Sequence, residues 1–449
     1  MKKFFKNHRF SILIAITGIA FYFSFAYNLD RTDFIKLISL YGGLFFMSFR
    51  LIQLEKTNFW FLASLALLYR LIYLFALPNL SQDFYRFLWD GKLILEGINP
   101  YLFKPNELIA NYQGIWTELY EEMGSLSQGN YTSYPPVNQF IFAVSAFLGG
   151  KSILESVIVM RIIIILADLG TLFFGRKLLQ NLGLPKHQIF WFILNPFIII
   201  ELTGNLHFEG VMLFFLIWSL YLLHQGKWLF SAVLLGISVS VKLIPLMFLP
   251  LLWNYFRKDD QLGISKLGLY YASAGLTVLL TFLPFLSSEL ISNLSTSIGL
   301  WFQKFEFNAS IYYLVRWIGF ELKGYNIIAT AGKVLPVLTL LIIFGLAFFR
   351  RNYSTTTLIT SMLFGITAYF FLSTTVHPWY LATPLLLSIF TKYRFMILWT
   401  GLIFLSYFTY SNSGFEENYW LLAIEYVAVF GYLIYEIFRN KLQTKKPAI

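Results

Sequence analysis

The sequence contains no cysteine, which excludes disulfides, thiolate catalysis and cysteine-ligated metals. Charge is scarce too: 13% of the 449 residues are Asp, Glu, Lys or Arg, about half of what a water-soluble domain carries. No Rossmann or Walker pattern of glycines occurs, and no equal-length repeat is found. What the chain has instead is apolar length. Hydrophobic residues make up 57%, mean hydropathy is +0.64, and the apolar residues come in uninterrupted runs that a water-soluble core does not need. With 49 Phe, 28 Tyr and 12 Trp, aromatics are abundant enough to pack helices and form interface belts in a bilayer.

The net charge of +11 does not point to nucleic acid, because the bases sit in short clusters between apolar runs rather than in one patch. Lys2, Lys3, Lys6 and Arg9 precede the run 10–27 with signal-peptide polarity. No clear small-residue cleavage site follows, so a retained first helix is expected.

A span needs about 20 apolar residues. Such runs are 10–27, 36–52, 58–77, 153–175, 187–203, 209–223, 266–286, 327–349, 354–374, 378–390, 395–410 and 419–438. Between 229 and 256, Lys242 and Pro245 interrupt a run too long for one span, which predicts two short helices meeting inside the membrane. The fold class expected is an all-α polytopic membrane protein with about 12 to 14 transmembrane helices.

Charge tests the parity. With the amino end inside, the cytoplasmic segments hold Arg176, Lys177 and Lys186, then Lys227, Arg257, Lys258, Arg350, Arg351, Lys392 and Arg394, and finally Arg439, Lys441, Lys445 and Lys446. The loop 78–136 then lies outside and is net acidic, with seven Asp or Glu against three Lys or Arg. This assignment requires a hairpin at 229–256 and a non-crossing helix at 137–149. The latter follows Pro135 and Pro136 and, at about 20 Å, is too short to span comfortably. A second outer segment, 287–326, is amphipathic and aromatic. Long loops with structure of their own are usually functional.

Within the first loop, Asp83, Arg86 and Asp90 fall on one face of a helix, with Gly91 read as a helix end. Two carboxylates around a guanidinium could serve an acceptor hydroxyl, one as base and one as orienter. Equally, Arg86 could simply neutralise both.

This run, the turn Glu96, Gly97, Ile98, Asn99, Pro100, Tyr101, and Tyr134 before Pro135 and Pro136 resemble the first outer loop of GT-C membrane glycosyltransferases. The similarity is strongest to bacterial polyprenol-phosphate-mannose-dependent mannosyltransferases and the related GPI-anchor mannosyltransferases. Arg161 with Asp168, Asn195 with Pro196, residues 204–210, Gly236 with residues 242–245, and residues 377–380 continue the resemblance in order. It implies a GT-C-like domain over 58–449 with an extra amino-terminal hairpin at 1–57, because the loop follows the third helix here rather than the first.

The resemblance further implies a polyprenyl-phosphate-linked sugar as donor, entering from the lipid bilayer, and a glycan or glycolipid acceptor from outside. The base maps onto Asp83, with Asp90 as alternative base or orienter. Lys242, whose charge is expensive in a membrane unless paired or hydrated, is the expected phosphate ligand together with His377 and Arg86. Snorkelling or pairing with a carboxylate is the plainer role for Lys242. His207, Glu209, Asn205 and Tyr134 are the expected sugar or acceptor contacts. His207 and Glu209 lack the helical i, i+4 pair of a metal site, so no metal is expected as a requirement. Two other classes fit parts of the pattern: a transporter or flippase, which suits the broken helices, and an oligosaccharide ligase or polymerase. A bacterial plasma-membrane location, with both ends cytoplasmic and the catalytic loop outside, completes the expectation.

Overall fold

The computed structural model describes residues 2–258 and 262–444, with the side chains of 2–7, 258, 301–303 and 443–444 outside the description. The basic residues Lys445 and Lys446, and the side chains of Lys2, Lys3, Lys6 and Lys258, therefore lie outside it. Among the described residues the chain is helical throughout, and its one β-type pairing is the isolated bridge Phe307 to Thr375.

Seven described helices are long and apolar enough to cross a bilayer: His8–Tyr27, Phe34–Leu54, Ile153–Asn181, Gly263–Phe285, Ile328–Phe348, Thr355–Leu372 and Tyr419–Leu442. Pro196–Gly204 and Glu209–His224, bent by 115°, make an eighth if taken as one broken span. Phe59–Ile72, Pro136–Gly149, Trp228–Val241, Leu290–Leu300 and Phe395–Ser411 are apolar but shorter. By helix composition this is a multi-pass membrane protein. The tally of about 12 to 14 crossing helices resolves into those seven or eight of full length and the short remainder.

Local chemistry explains the shortening. The run 58–77 stops as a helix at Ile72, where Tyr27 donates to the Ile72 carbonyl and Arg161 to that of Leu74. The run 187–203 breaks before Pro196, whose ring cannot continue a helix, and Asn195 caps the new start by accepting from the Phe197 amide. The run 229–256 divides as expected. Trp228–Val241 ends at an extended Lys242, and the 3-10 segment Ile244–Leu252 carries Pro245 and Pro250. Spanning helices use ordinary caps: Ser152 accepts from the Glu155 amide, and Ser354 and Thr357 form a capping box.

The helix Pro136–Gly149 is polar inward and apolar outward. Asn138 and Gln139 are fully buried, while Phe140 and Phe147 are about 70% exposed. That arrangement is inverted for water and suited to lipid. The second long loop forms helices Leu290–Gln303 and Ile311–Lys323 and lies on the first. Asn293 donates to the Tyr101 carbonyl, Ser297 to that of Tyr131, and Asn99 to that of Phe285.

Candidate active site

The first long loop is built around the helix Asp83–Leu95. Gly91 does not end this helix, as its sequence position suggested. It lies where the helix crosses Pro136–Gly149, and a β-carbon there would come within 2.3 Å of the Phe142 carbonyl oxygen. The turn that ends the helix is supplied by Gly97, at φ +76°. Phe87 stacks on Phe142 at 4.5 Å between centroids and meets Tyr134 edge-on at 4.9 Å. These contacts fix how Asp83, the first residue of the helix, faces the membrane-embedded part.

Arg86 and Asp90 form a pair that Asp83 does not share. Arg86 Nε donates to Asp90 Oδ1 at 2.8 Å, and its Nη1 donates to the carbonyls of Ser127 and Asn130. The second oxygen of Asp90 accepts from Gln139 at 3.1 Å, and Asp90 is wholly enclosed. A carboxylate with both oxygens engaged and no access cannot take a proton from an incoming hydroxyl. Asp90, expected as alternative base or orienter, is thus held between Arg86 and Gln139, and Arg86, expected at the phosphate, clasps 127–130. Asp90→Ala is expected to cost about 3–5 kcal/mol by leaving the Arg86 charge buried and unpaired, read as a large fall in thermal stability in detergent.

Asp83 stands apart. The Tyr134 hydroxyl donates to its Oδ2 at 3.4 Å, and its electrostatic partners are Lys242 and Glu209. Burial raises its pKa above the usual carboxylate value. Lys242 opposes that rise, Glu209 adds to it, and the Tyr134 hydrogen bond lowers it. A half-buried carboxylate made more basic by its surroundings is suited to general-base work.

Lys242 sits at the break after Val241, whose carbonyl accepts from Asn138 at 2.8 Å. Its ammonium pairs with the fully buried Glu209 and lies 6.0 Å from the Tyr380 ring centroid. Glu209 begins the second arm of the bent pair. Leu206, at φ +61°, occupies the left-handed region that a branched side chain rarely adopts. Arg161 holds the bend in place through the carbonyls of Thr203 and Gly204. Arg70 pairs with Asp168 at 2.7 Å, which also accepts from Thr203. Asn205, expected as a sugar contact, is buried with its Oδ1 accepting from the Leu80 amide, and so tethers the start of the loop to the bend.

His377 belongs to the same place. Trp379 stacks between His207, at 3.8 Å, and His377, at 4.6 Å, and Phe307 continues the stack at 5.1 Å. The second loop is tied to this stack by the Phe307 amide donating to Thr374 and the Val376 amide to Phe307. Both His207 and His377 interact electrostatically with Lys242. Burial first, then Lys242, push the His377 pKa down to about 3, so its imidazole is neutral at physiological pH rather than a cation.

Asp83, Tyr134, Glu209, Lys242, His207 and His377 thus converge, while Asp90, Arg86 and Asn205 brace the walls. Two participants escape the sequence reading: Trp379 as the ring between the histidines, and Glu201, fully buried, accepting from the Tyr407 hydroxyl at 2.7 Å and facing His207. Glu201 had a usable signal, since a carboxylate inside an apolar run is functional by default. Among the described residues, no three His, Asp or Glu side chains gather as metal ligands.

A helical loop closing over broken membrane helices, with a basic carboxylate opposite a lysine, defines a polytopic membrane protein with an enzyme-like polar chamber. The chain belongs to the family described as alpha-(1->6)-mannopyranosyltransferase, N-terminal domain, which matches residues 27–256. That stretch holds Asp83, Tyr134, Glu201, His207, Glu209 and Lys242, while His377 and Trp379 lie beyond it. Alpha-(1->6)-mannopyranosyltransferase A of Mycobacterium tuberculosis is 24% identical over 215 residues, 46% of this chain and 39% of the relative. The protein so named in Corynebacterium glutamicum is 23% identical over 199 residues, 42% and 38% of the respective chains. The matched stretch covers about two-fifths of the length of these curated relatives. No solved structure matches the chain.

Proposed function

We propose that the protein is a membrane mannosyltransferase, moving mannose from a polyprenyl-phosphate donor to a hydroxyl of a glycan or glycolipid acceptor outside the cytoplasm. The observation that carries this reading is Asp83 facing the Lys242–Glu209 pair where the loop helix meets the broken spans. The linkage proposed is alpha-(1->6), after the family and the two relatives. The positive-inside distribution of bases supports a catalytic loop on the outer face of a bacterial plasma membrane, with both chain ends cytoplasmic.

In this mechanism Asp83 takes the proton from the acceptor hydroxyl, and the oxygen attacks the anomeric carbon of a β-linked donor. The bond from that carbon to the phosphate oxygen breaks, and its electron pair leaves with the polyprenyl phosphate, giving the α-linkage by inversion. The two ammonium protons of Lys242 not directed at Glu209, and the neutral imidazole of His377, stabilise the phosphate as its charge grows.

The test uses purified protein in detergent, radiolabelled mannosyl polyprenyl phosphate and an α-mannoside acceptor, with product linkage determined. Transfer without a sealed compartment is expected; its absence, with the labelled lipid moving across proteoliposomes instead, would favour the flippase reading that the broken helices also suit. Because a leaving group with one phosphate can be stabilised by a lysine and hydrogen-bond donors, the reaction is proposed to need no metal. Excess EDTA is expected to leave the rate within about twofold, whereas removing one strong electrostatic stabiliser typically costs about 100-fold or more.

A further inference from the structure

Beside the chamber, Glu201 Oε2 and His207 Nε2 face each other at 3.7 Å, both fully or almost fully buried and neither in a close hydrogen bond, with the Asn205 amide as the other polar group next to Glu201. A buried polar atom left without a partner is costly. Two such atoms of opposite capacity, pointed at one another, satisfy each other by closing less than an ångström. Glu201 cannot swing away, because its other oxygen is held by the Tyr407 hydroxyl at 2.7 Å. His207 cannot tilt freely, because its ring lies against Trp379, 16° from parallel. The pair is therefore constrained along one line.

We infer that Glu201 is a positioning residue that fixes His207 as a hydrogen-bond donor to the phosphate of the polyprenyl-linked sugar. Proton counting gives the reason. A buried pair is cheapest when its net charge is zero, which requires two protons on Glu201 and His207 together. One lies between Glu201 and Nε2, whichever atom holds it. The other is on Nδ1 in either case. Nδ1, on the opposite edge of the ring from Glu201, thus keeps an N–H in both distributions. The ring's electrostatic neighbours are Lys242 and His377, the two groups proposed to receive the phosphate, and Trp379 joins both histidines in one stack. The groups surrounding the pair fit this balance: Asn205, Tyr41, Tyr73 and Tyr410 stand around Glu201 and are neutral, and Glu209 is already countered by Lys242. No proton leaves the pair during transfer, so its effect is to stabilise charge that grows on the departing phosphate.

The inference rests on the proposed transferase reading, and the experiment separates the two. Full-length wild type, Glu201→Ala, Glu201→Gln, His207→Ala and the double variant Glu201→Ala with His207→Ala are assayed in detergent with mannosyl polyprenyl phosphate, and melting temperature is recorded. Glu201→Ala is expected to lower kcat about 10–100-fold, the usual effect of removing an orienting partner, with donor KM changed less than about threefold. The double variant is expected to match His207→Ala within about twofold, because Glu201 acts only through His207. In Glu201→Gln the amide donates to Nε2 and leaves Nδ1 protonated, so at least about tenfold of the Glu201→Ala loss is expected to return. Independent, multiplying losses in the double variant, or a loss in KM alone, would overturn the inference while the transferase reading stood. A wild type that transfers no sugar would overturn both. Glu201→Gln keeps the shape of the side chain, so if Glu201→Ala fails to fold, a Glu201→Gln protein with no activity and an unchanged melting temperature overturns the inference by itself.

Discussion

Asp83→Asn is expected to lower mannosyl transfer about 1,000-fold with unchanged membrane abundance and melting temperature, since positioned general bases typically contribute about 100- to 10,000-fold. Asparagine keeps the size of the side chain and can still meet the Tyr134 hydroxyl, but it cannot accept a proton. Stability should hold, because Asp83 is half-buried and carries no ion pair of its own among the described residues, unlike Asp90. The pH profile adds a second check. The rate rises as Asp83 loses its proton, and burial lifts its pKa, so the acid limb of kcat/KM should lie above the ordinary carboxylate range. Tyr134→Phe removes a hydrogen bond that lowers that pKa, and should move the limb to still higher pH. Normal transfer by Asp83→Asn would remove the base assignment. An acid limb that Tyr134→Phe leaves in place would show that another group governs the rate.

What the sequence made legible was periodicity and punctuation. The helical spacing of Asp83, Arg86 and Asp90 was readable because the loop helix is regular. The interruption at Lys242 and Pro245 was readable because proline and a buried charge are strong local signals. Which carboxylate Arg86 would choose was not. Asp83 and Asp90 are nearly equivalent on a helical projection, and the choice comes from Gln139, Ser127 and Asn130, whose bonds to the pair reach across 41 to 49 positions and close around one end only. Gly91 misled for a related reason. A glycine near a helix end and a glycine at a helix crossing look alike until the Phe142 carbonyl arrives from another element. Where a helix ends inside an apolar run was hidden too, because hydropathy records apolar residues and not backbone partners. Side chains from distant elements, Tyr27 and Arg161, satisfy the carbonyls at 72 and 74 beyond the helical ladder. The role of the 204–210 turn was similarly hidden. Its polar residues look alike in sequence, yet Asn205 braces the loop, Glu209 pairs with Lys242, and His207 joins the aromatic stack.

The Lys242–Glu209 pair allows catalysis and stability to be separated. Lys242→Met leaves Glu209 as a fully enclosed carboxylate without its cation, so a loss of about 3–5 kcal/mol in stability is expected. Activity should fall as well, by about 100-fold or more, because the ammonium proposed to meet the departing phosphate is gone. A fall in both would leave the two causes mixed. Adding Glu209→Gln resolves them, since the uncompensated charge disappears and most of the stability should return. If Lys242 only neutralises Glu209, transfer returns with it. If it also meets the phosphate, the doubly substituted protein is well folded and still about 100-fold impaired in kcat. Its pH profile supplies a third reading, because Lys242 lowers the pKa of Asp83 whereas Glu209 raises it. Loss of Lys242 alone should shift the acid limb upward, and loss of both should bring it back toward the wild-type position while kcat stays low. Recovery of kcat along with the melting temperature would reduce Lys242 to a structural counter-ion and leave the phosphate to the two histidines.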